Sequence, residues 1–148
     1  MQLFNIKDKI EYLDQVMELI YLEWGQFFRT SKEDKIKRIK EAISTNSEYP
    51  QIYIIIDNNK LIGTFTIKDY DLDDHTLTPW LAWVVIKKEH RGKGYGNTLL
   101  KYVEEIANKN YPILYLTTNL IGYYERIGFK YIKDVNHNGE LSRLYVRK

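Results

Sequence analysis

The segment Arg91–Gly96 reads Arg-Gly-Lys-Gly-Tyr-Gly and combines three glycines with two cations. The strand-like apolar run Trp80–Ile86 precedes it, and the segment 97–107 that follows carries apolar residues at helical spacing. Glycines let backbone N–H groups approach an anion closely, and a helix N-terminus adds unpaired donors and a favourable dipole. This pattern therefore predicts a cradle for phosphate.

The spacing of these glycines does not fit the other common phosphate loops. A P-loop needs Gly-x-x-x-x-Gly-Lys-Ser/Thr, which the chain lacks. A dinucleotide fingerprint needs a glycine where Asn97 stands and an acidic residue about twenty positions further on. A protein-kinase loop needs catalytic partners that this short chain does not carry. The alternative that stays open is a helix start that uses glycine without binding an anion.

An acidic segment, Asp-x-Asp-x-Asp at positions 69–73, has the first three spacings of a calcium loop. Asp74 replaces the glycine that such a loop requires, and Trp80 stands where the bidentate glutamate belongs. We therefore interpret the segment as an acidic hairpin tip that attracts a cationic substrate. The three histidines, His75, His90 and His137, have no metal-ligand spacing, so no metal is expected.

Composition limits the possible functions. The length of 148 residues fits one domain, spanning residues 1–148. No apolar run approaches the length of a membrane span and no signal peptide is visible, so we expect a cytoplasmic protein. The formal net charge of +2 is too small to indicate nucleic acid or an anionic membrane. Without cysteine, the chain forms neither a disulfide nor an acyl-cysteine intermediate.

The elements around the glycine turn follow from periodicity and turn signals. Strands are predicted at 3–6, 52–56, 61–70, 78–87, 113–117, 129–134 and 141–147, and helices at 94–109 and 122–127. Two earlier helices are predicted from apolar stripes, which comprise Ile10, Leu13, Val16, Met17, Ile20 and Tyr21, then Ile36, Ile39, Ala42 and Ile43. Thr30 or Ser31 would cap the second of these helices.

Turn residues and connections complete this outline. The asparagines of segment 57–60 and the pair Asn138-Gly139 favour tight hairpins, and Gly128 favours a helix C-cap. The strand, helix and strand from Trp80 to Thr117 should form a right-handed parallel crossover. The sheet is therefore expected to be mixed.

The segment Val84–Gly96 resembles the acetyl-CoA-binding motif of the GNAT superfamily of N-acetyltransferases, whose core is Arg/Gln-x-x-Gly-x-Gly/Ala after a strand. Arg91, Gly94 and Gly96 match that core. The segment Tyr124–Phe129, which reads Tyr-Glu-Arg-Ile-Gly-Phe, resembles the Tyr-Glu-Lys-x-Gly-Phe segment of the same family. With the order of elements, the resemblance covers essentially the whole chain. It implies an α+β fold with a mixed, mostly antiparallel sheet of about seven strands, one splayed parallel pair and about four flanking helices.

The resemblance also implies how acetyl-CoA binds as co-substrate. The backbone of Val84, Val85 and Ile86 would bind the pantetheine arm and the thioester carbonyl, the latter as an oxyanion hole. The segment 91–97 would wrap the pyrophosphate; its residues are Arg91, Gly92, Lys93, Gly94, Tyr95, Gly96 and Asn97. Asn119 is a further cofactor contact, although the segment from it to Tyr124 is shorter than in many members of the family.

By the same resemblance, Tyr124 is the acid that protonates the leaving thiolate. Tyr123 is the alternative acid, and a core position without chemistry is the other interpretation of Tyr124. Many family members place a basic glutamate on the strand before the loop, but the segment 78–83 contains none. Glu23, Asp74 and His75 are the substitutes considered for that base. Five aromatic residues are candidates for the acceptor pocket or for the core: Trp24, Phe27, Phe28, Trp80 and Trp83.

The sequence thus predicts an N-acetyltransferase that transfers acetyl from acetyl-CoA to a primary amine by direct attack in a ternary complex. The acceptor would be a small molecule or a peptide N-terminus. A non-catalytic CoA-binding module of the same fold is the alternative, because the strand glutamate is missing. An RNA-binding domain is disfavoured by charge and by the lack of an aromatic platform. The final strand pair suggests a homodimer.

Overall fold

All 148 residues are described in the computed structural model, which contains seven strands and three α-helices around one mixed sheet. The elements are β1 (Gln2–Asn5), α1 (Leu13–Trp24), α2 (Lys32–Ser44), β2 (Gln51–Asp57), β3 (Lys60–Lys68), β4 (Trp80–Ile86), α3 (Tyr95–Asn110), β5 (Leu114–Thr118), β6 (Lys130–His137) and β7 (Glu140–Arg147). The predicted mixed α+β architecture is confirmed. No helix is both long and apolar enough to cross a membrane.

The sheet has the order β1-β2-β3-β4-β5-β7-β6, and only β4 and β5 are parallel. Their pairing consists of one register match, Trp80 with Tyr115, supported by a bond from the Tyr115 N–H to the Pro79 carbonyl at 3.0 Å. Every other neighbouring pair is matched over at least four positions. The sheet is therefore open between β4 and β5 beyond their first residues.

A bulge in β4 accompanies this opening. The register between β3 and β4 shifts between Thr64 and Thr66, so that Phe65 has no direct partner on β4. Trp83, within the shifted part of β4, has a φ of 53°, which is a strained conformation for a residue with a side chain. A bulge bends its strand and increases the local twist, so it turns β4 away from β5.

Apolar side chains cover both faces of the sheet. Helices α1 and α2 pack on one face through residues such as Val16, Met17, Ile20 and Ile39, against alternate residues of β2. Helix α3 packs on the other face through Leu99, Leu100, Val103 and Ala107. The glycine turn before α3 is therefore held at the edge of the β4–β5 gap by a helix with a buried stripe.

The predicted hairpin turns are confirmed by their backbone angles. Asn58 and Asn59 have φ values of 51° and 61°, and Asn138 and Gly139 have φ values of 54° and 82°. Positive φ at both central residues is what a type I′ hairpin turn requires.

Local details differ from the sequence expectations at two helices. Ile10 was expected on the buried stripe of the first helix, but α1 begins at Leu13, and Ile10 lies in a 3-10 turn with 45% of its surface exposed. The expected helix at 122–127 is a 3-10 turn, Tyr124–Ile127, so the fold has three α-helices instead of about four. Gly128 ends this turn with a φ of 98°, as predicted.

The N-terminal cap of α2 is Ser31, one of the two residues predicted for it. Its hydroxyl accepts a hydrogen bond from the Asp34 N–H at 3.1 Å. This bond satisfies one of the unpaired donors of the first turn.

Candidate functional site

A cavity of about 630 Å³ opens at the gap between β4 and β5. Its walls are the ends of these two strands, the turn between α1 and α2, the loop after β3 and the tip of the β6–β7 hairpin. The gap extends along β4 from the cavity toward the glycine turn, which follows the end of this strand.

The glycine turn is built around two residues in the left-handed conformation. Gly92 has a φ of 76° and Gly94 a φ of 83°, and a Cβ on either would meet no atom within 4 Å. Glycine is needed here for backbone angle and for an open surface, not to avoid a clash within the protein.

Helix α3 starts directly after this turn with Gly94 as its N-cap and no side-chain cap. The N–H groups of Tyr95, Gly96 and Asn97 belong to the first turn and donate to no side chain of the protein. With the helix dipole, these donors form a site that favours an anion.

Side chains of the turn residues are mostly engaged within the protein. The Tyr95 hydroxyl donates to Asp57 at 3.0 Å, and Asn97 accepts from the Arg126 guanidinium at 2.9 Å. Lys93 makes no hydrogen bond or ion pair. Tyr95 and Asn97 are thus available to a ligand through their backbone, whereas Lys93 has a free ammonium.

The Arg91 side chain contacts both the end of β4 and helix α1. Its Nε–H donates to the Ile86 carbonyl at 2.9 Å, and its Nη2 lies 2.8 Å from Glu23 on α1. The guanidinium therefore anchors the last residue of β4 to α1. Glu23 faces this junction and is not part of the cavity wall.

The backbone N–H and C=O groups of β4 point alternately toward β3 and toward the gap. The Lys87 N–H donates to the Ile62 carbonyl on β3 at 2.8 Å, and Val85 stands opposite Thr64 in the same register. Since successive residues of a strand direct their polar groups to opposite edges, those of Ile86 point toward the gap. The structure therefore places the backbone of Ile86 at the gap and that of Val85 on the β3 side, while Val84 lines the cavity.

Two adjacent tyrosines have different surroundings. The Tyr123 hydroxyl donates to the Gly96 carbonyl at 2.9 Å, which ties the 3-10 turn to the start of α3. Tyr124 is 7% exposed, lines the cavity, and its hydroxyl has no hydrogen-bond partner in the protein. Burial raises the pKa of both phenols, and a neutral Tyr124 is thereby favoured at physiological pH.

The predicted aromatic residues divide between cavity and core. Trp24, Phe27, Phe28 and Trp83 line the cavity, with Phe28 edge-on to Trp83 at a centroid distance of 5.5 Å. Trp80 is fully buried and its indole N–H donates to the Leu77 carbonyl, so it is a core residue. Asn119 lies in the cavity wall at the end of β5.

Two lysines bring positive charge to the aromatic end of the cavity. Lys68 lies 4.9 Å and Lys35 5.4 Å from the centroid of the Trp83 ring. Lys68 is paired with Asp71 at 3.2 Å, whereas the ammonium of Lys35 makes no ion pair or hydrogen bond. Burial, together with the charge of Lys68, lowers the pKa of Lys35.

The acidic segment after β3 is only partly the exposed tip that we expected. Asp71 turns inward, and 14% of its side chain is exposed. It pairs with Lys68 and lies 3.3 Å from Nε2 of His137, whose Nδ1 is 3.0 Å from the Thr117 hydroxyl. Burial alone would raise the pKa of Asp71, but the His137 hydrogen bond and the charge of Lys68 lower it.

Of the residues considered as a base, only His75 lines the cavity, where its ring stacks on Tyr70. Asp74 is exposed and accepts hydrogen bonds from Thr76. His137 was not among those candidates, because it lies about twenty residues from Thr117 and more than sixty from Asp71 and no local spacing connects them.

The family model of the acetyltransferase (GNAT) family matches residues 13–129. The chain belongs to this family. The match includes the glycine turn and both tyrosines, and it confirms the predicted family. Members of the GNAT family are acyltransferases that use acetyl-CoA as donor, which confirms the predicted enzyme class and co-substrate.

A curated relative is the S-alkylcysteine N-acetyltransferase of Bacillus subtilis strain 168, 27% identical over 113 residues. The alignment covers 68% of this chain and 63% of the relative, so the chain spans less than two thirds of the length of that protein.

Solved structures share the fold. An aminoglycoside 6'-N-acetyltransferase complexed with coenzyme A is 16% identical, covers 99% of this chain and 96% of its own, and has a TM-score of 0.71. A mutant spermidine N-acetyltransferase from Vibrio cholerae is 15% identical, with coverages of 99% and 94% and a TM-score of 0.73. At these identities the likeness establishes the fold.

The residues present fit a CoA-type donor. The turn leaves open space above Gly92 and Gly94, and the first N–H groups of α3 are unpaired. The gap beside Ile86 has room for an extended arm, because β4 and β5 meet at one position. The turn can hold a pyrophosphate while the gap accepts a chain that hydrogen-bonds like a strand.

Proposed function

We propose that this protein transfers the acetyl group of acetyl-CoA to the primary amine of a small molecule, by direct attack in a ternary complex. The observation that carries the proposal is the position of Tyr124: a neutral phenol with a free hydroxyl lies in the wall of the cavity that opens at the β4–β5 gap.

Donor binding would use backbone groups. The turn at Gly92 and Gly94 and the first turn of α3 would hold the pyrophosphate, with Lys93 adding charge. The pantetheine arm would lie along Ile86 and Val84, and a backbone N–H there would stabilise the charge that grows on the thioester oxygen. Arg91 contributes by holding the Ile86 carbonyl.

The reaction needs three proton transfers. An ammonium with a pKa near 10.4 must lose a proton before attack, which costs about 4–5 kcal/mol at pH 7. The neutral amine then attacks the thioester carbon, and the C–S bond breaks. Tyr124 donates its proton to the departing thiolate and is reprotonated as the new amide nitrogen loses its second proton.

The acceptor pocket favours an amine that also carries a carboxylate. Lys35 is half-buried between Phe28 and Trp83, and its ammonium has no anionic partner in the protein. A carboxylate on the acceptor would supply that partner. Lys68 next to it is already neutralised by Asp71. The exposed carboxylates of Asp73 and Glu140 lie at the rim, where they can meet the incoming ammonium.

An amino acid or an amino-acid derivative meets these requirements better than a polyamine. Trp24, Phe27, Phe28 and Trp83 form part of the pocket wall, so an apolar side chain on the acceptor would also find a partner. The substrate named for the Bacillus subtilis relative is of this chemical class. A peptide N-terminus is less favoured, because its first residue has no free carboxylate for Lys35.

Two copies of the chain could associate along β6. This strand is at the edge of the sheet and exposes Tyr131 and Ile132, of which 44% and 45% of the surface is accessible. An edge strand with exposed apolar residues favours pairing with a second copy. Sedimentation at several concentrations would reveal the homodimer, and a concentration-independent monomer would contradict it.

The test combines donor binding with turnover. We expect acetyl-CoA to raise the melting temperature of the protein. Release of free thiol is then measured with amino acids, their amides, a polyamine and a short peptide as acceptors. We expect the fastest release with amino acids. No stabilisation at millimolar acetyl-CoA would overturn donor binding. Stabilisation without turnover on any acceptor would favour a non-catalytic CoA-binding module of the same fold.

A further inference from the structure

We propose that His137, held by Asp71, accepts the proton of the acceptor ammonium through the hydroxyl of Thr117. This inference rests on the proposed function and names the base that the sequence left open. It assigns the role to a chain of three side chains from three separate segments: the loop after β3, the end of β6 and the strand β5.

The geometry of the three side chains is that of a hydroxyl–imidazole–carboxylate chain. The Thr117 Oγ1 lies 3.0 Å from His137 Nδ1, and His137 Nε2 lies 3.3 Å from an Asp71 carboxylate oxygen. With Asp71 ionised, the proton of the neutral imidazole is on Nε2, and Nδ1 accepts from the Thr117 hydroxyl. The lone pair on Nδ1 is thus directed at Thr117.

The position of Thr117 relative to the gap suits a base. On β5, Leu114 and Leu116 are buried against α3, so Thr117 projects to the other face of the sheet. Tyr124 belongs to the α3 side. Thr117 and Tyr124 therefore approach the site from opposite faces of the sheet. A base and an acid so placed would serve different atoms, the amine nitrogen and the thioester sulfur.

The proton lost by the acceptor ammonium can be followed through each step to solvent. The acceptor ammonium gives one proton to the Thr117 oxygen as the Thr117 hydroxyl proton moves to Nδ1 of His137. The result is a neutral amine, an intact threonine and an imidazolium that keeps its contact with the Asp71 carboxylate. The imidazolium then releases its proton to solvent, which accounts for the one proton that the overall transfer liberates.

Several charged and polar groups face His137. Asp71 and, behind it, Lys68 face the ring from β3 and its loop, and Thr117 faces it from β5. On β7, Glu140 is its register partner and is exposed. Asp73 and His75 lie in the same cavity wall.

Two variants at Thr117 and one variant at His137 test the proposal, and the measured quantity is the pH dependence of kcat/KM. We expect Thr117→Val and His137→Gln to lower kcat/KM about 100-fold at pH 7, whereas Thr117→Ser retains most of the activity. Both losses should shrink toward pH 10, or with an acceptor of low amine pKa, because such an amine needs no base.

The comparison with Tyr124→Phe separates base from acid, since its loss should persist at high pH. Acetyl-CoA affinity, measured by titration calorimetry, should be unchanged in the Thr117 and His137 variants. A loss in these variants that is equal at every pH and for every acceptor would overturn the proposal and assign the three residues a structural role. A wild-type protein without turnover would instead overturn the proposed function.

Discussion

Tyr123 and Tyr124 are adjacent, with ring centroids 4.9 Å apart and planes nearly perpendicular, yet only the Tyr123 hydroxyl is bonded within the protein. The Tyr123 bond to the Gly96 carbonyl fixes the 3-10 turn against the start of α3. That anchor positions the neighbouring Tyr124 hydroxyl in the cavity. The sequence left either tyrosine possible as the acid, and the two environments favour Tyr124.

Replacement of each tyrosine by phenylalanine should separate these roles. We expect Tyr124→Phe to lower kcat about 100-fold or more with unchanged acetyl-CoA affinity, because the thiolate loses its proton donor. Tyr123→Phe should lower stability by about 1 kcal/mol through loss of one hydrogen bond, with a smaller effect on kcat. Steady-state kinetics and thermal melts measure both. Equal losses of kcat in the two variants would contradict the assignment.

Gly63 should be intolerant of a side chain. A Cβ at this position would lie 2.7 Å from both the Val85 carbonyl oxygen and Ile86 Cδ1, on the strand that borders the gap. We expect Gly63→Ala to destabilise the fold by about 1–3 kcal/mol and to weaken acetyl-CoA binding, since β4 must move. The control is Gly25→Ala at the end of α1, whose Cβ would contact a Tyr21 side chain. Acetyl-CoA titrations in which both variants match the wild type would refute this prediction.

Lys35 should distinguish acceptors by charge. We expect Lys35→Met to raise KM about 10-fold for an amino acid but not for the corresponding amide, because a charge-assisted hydrogen bond of about 1.5 kcal/mol is lost only with the carboxylate. Lys40→Met, an exposed change on the same helix, is the control. A similar KM change for acid and amide would show that Lys35 contributes packing alone.

Asp71 should make the free energy of unfolding depend on pH in the acidic range. Its pKa is lowered in the folded protein, where the His137 hydrogen bond and the Lys68 charge outweigh the effect of burial. Its contribution to the free energy of unfolding is therefore complete above the ordinary carboxyl pKa of about 4 and is lost as the pH falls through the lower folded value.

We expect the stability curve of Asp71→Asn to be flatter than that of the wild type below pH 4, as measured by urea unfolding between pH 3 and pH 6. His137→Gln should flatten the same region in part, because it removes the strongest favourable partner of the carboxylate. Parallel curves for all three proteins would exclude Asp71 from acid sensitivity.

Local signals in the sequence were sufficient for the turns. Asn58-Asn59 and Asn138-Gly139 have the positive φ values that their residue types favour, and Gly94 caps α3 in the left-handed conformation. Such features depend on a few consecutive residues. The bonds of Arg91 to Ile86 and Glu23 link distant segments and had no local signature.

The acceptor side was harder to predict for the same reason. The chain of Thr117, His137 and Asp71 exists only after β5, the end of β6 and the loop after β3 are ordered in space. Trp80 lies in the core, whereas Trp83, within the bulge of β4, lines the cavity. Aromatic type alone does not decide between a core position and a pocket wall.

The single β4–β5 match has a mechanical consequence. The sheet consists of two halves, β1 to β4 and β5 to β7, and the strands of the two halves pair only at Trp80 and Tyr115. The contact between Asp71 and His137 connects the first half of the sheet to the second. A donor arm seated in the gap would bridge the two halves along their length, so its binding should stiffen the molecule as well as deliver the acetyl group.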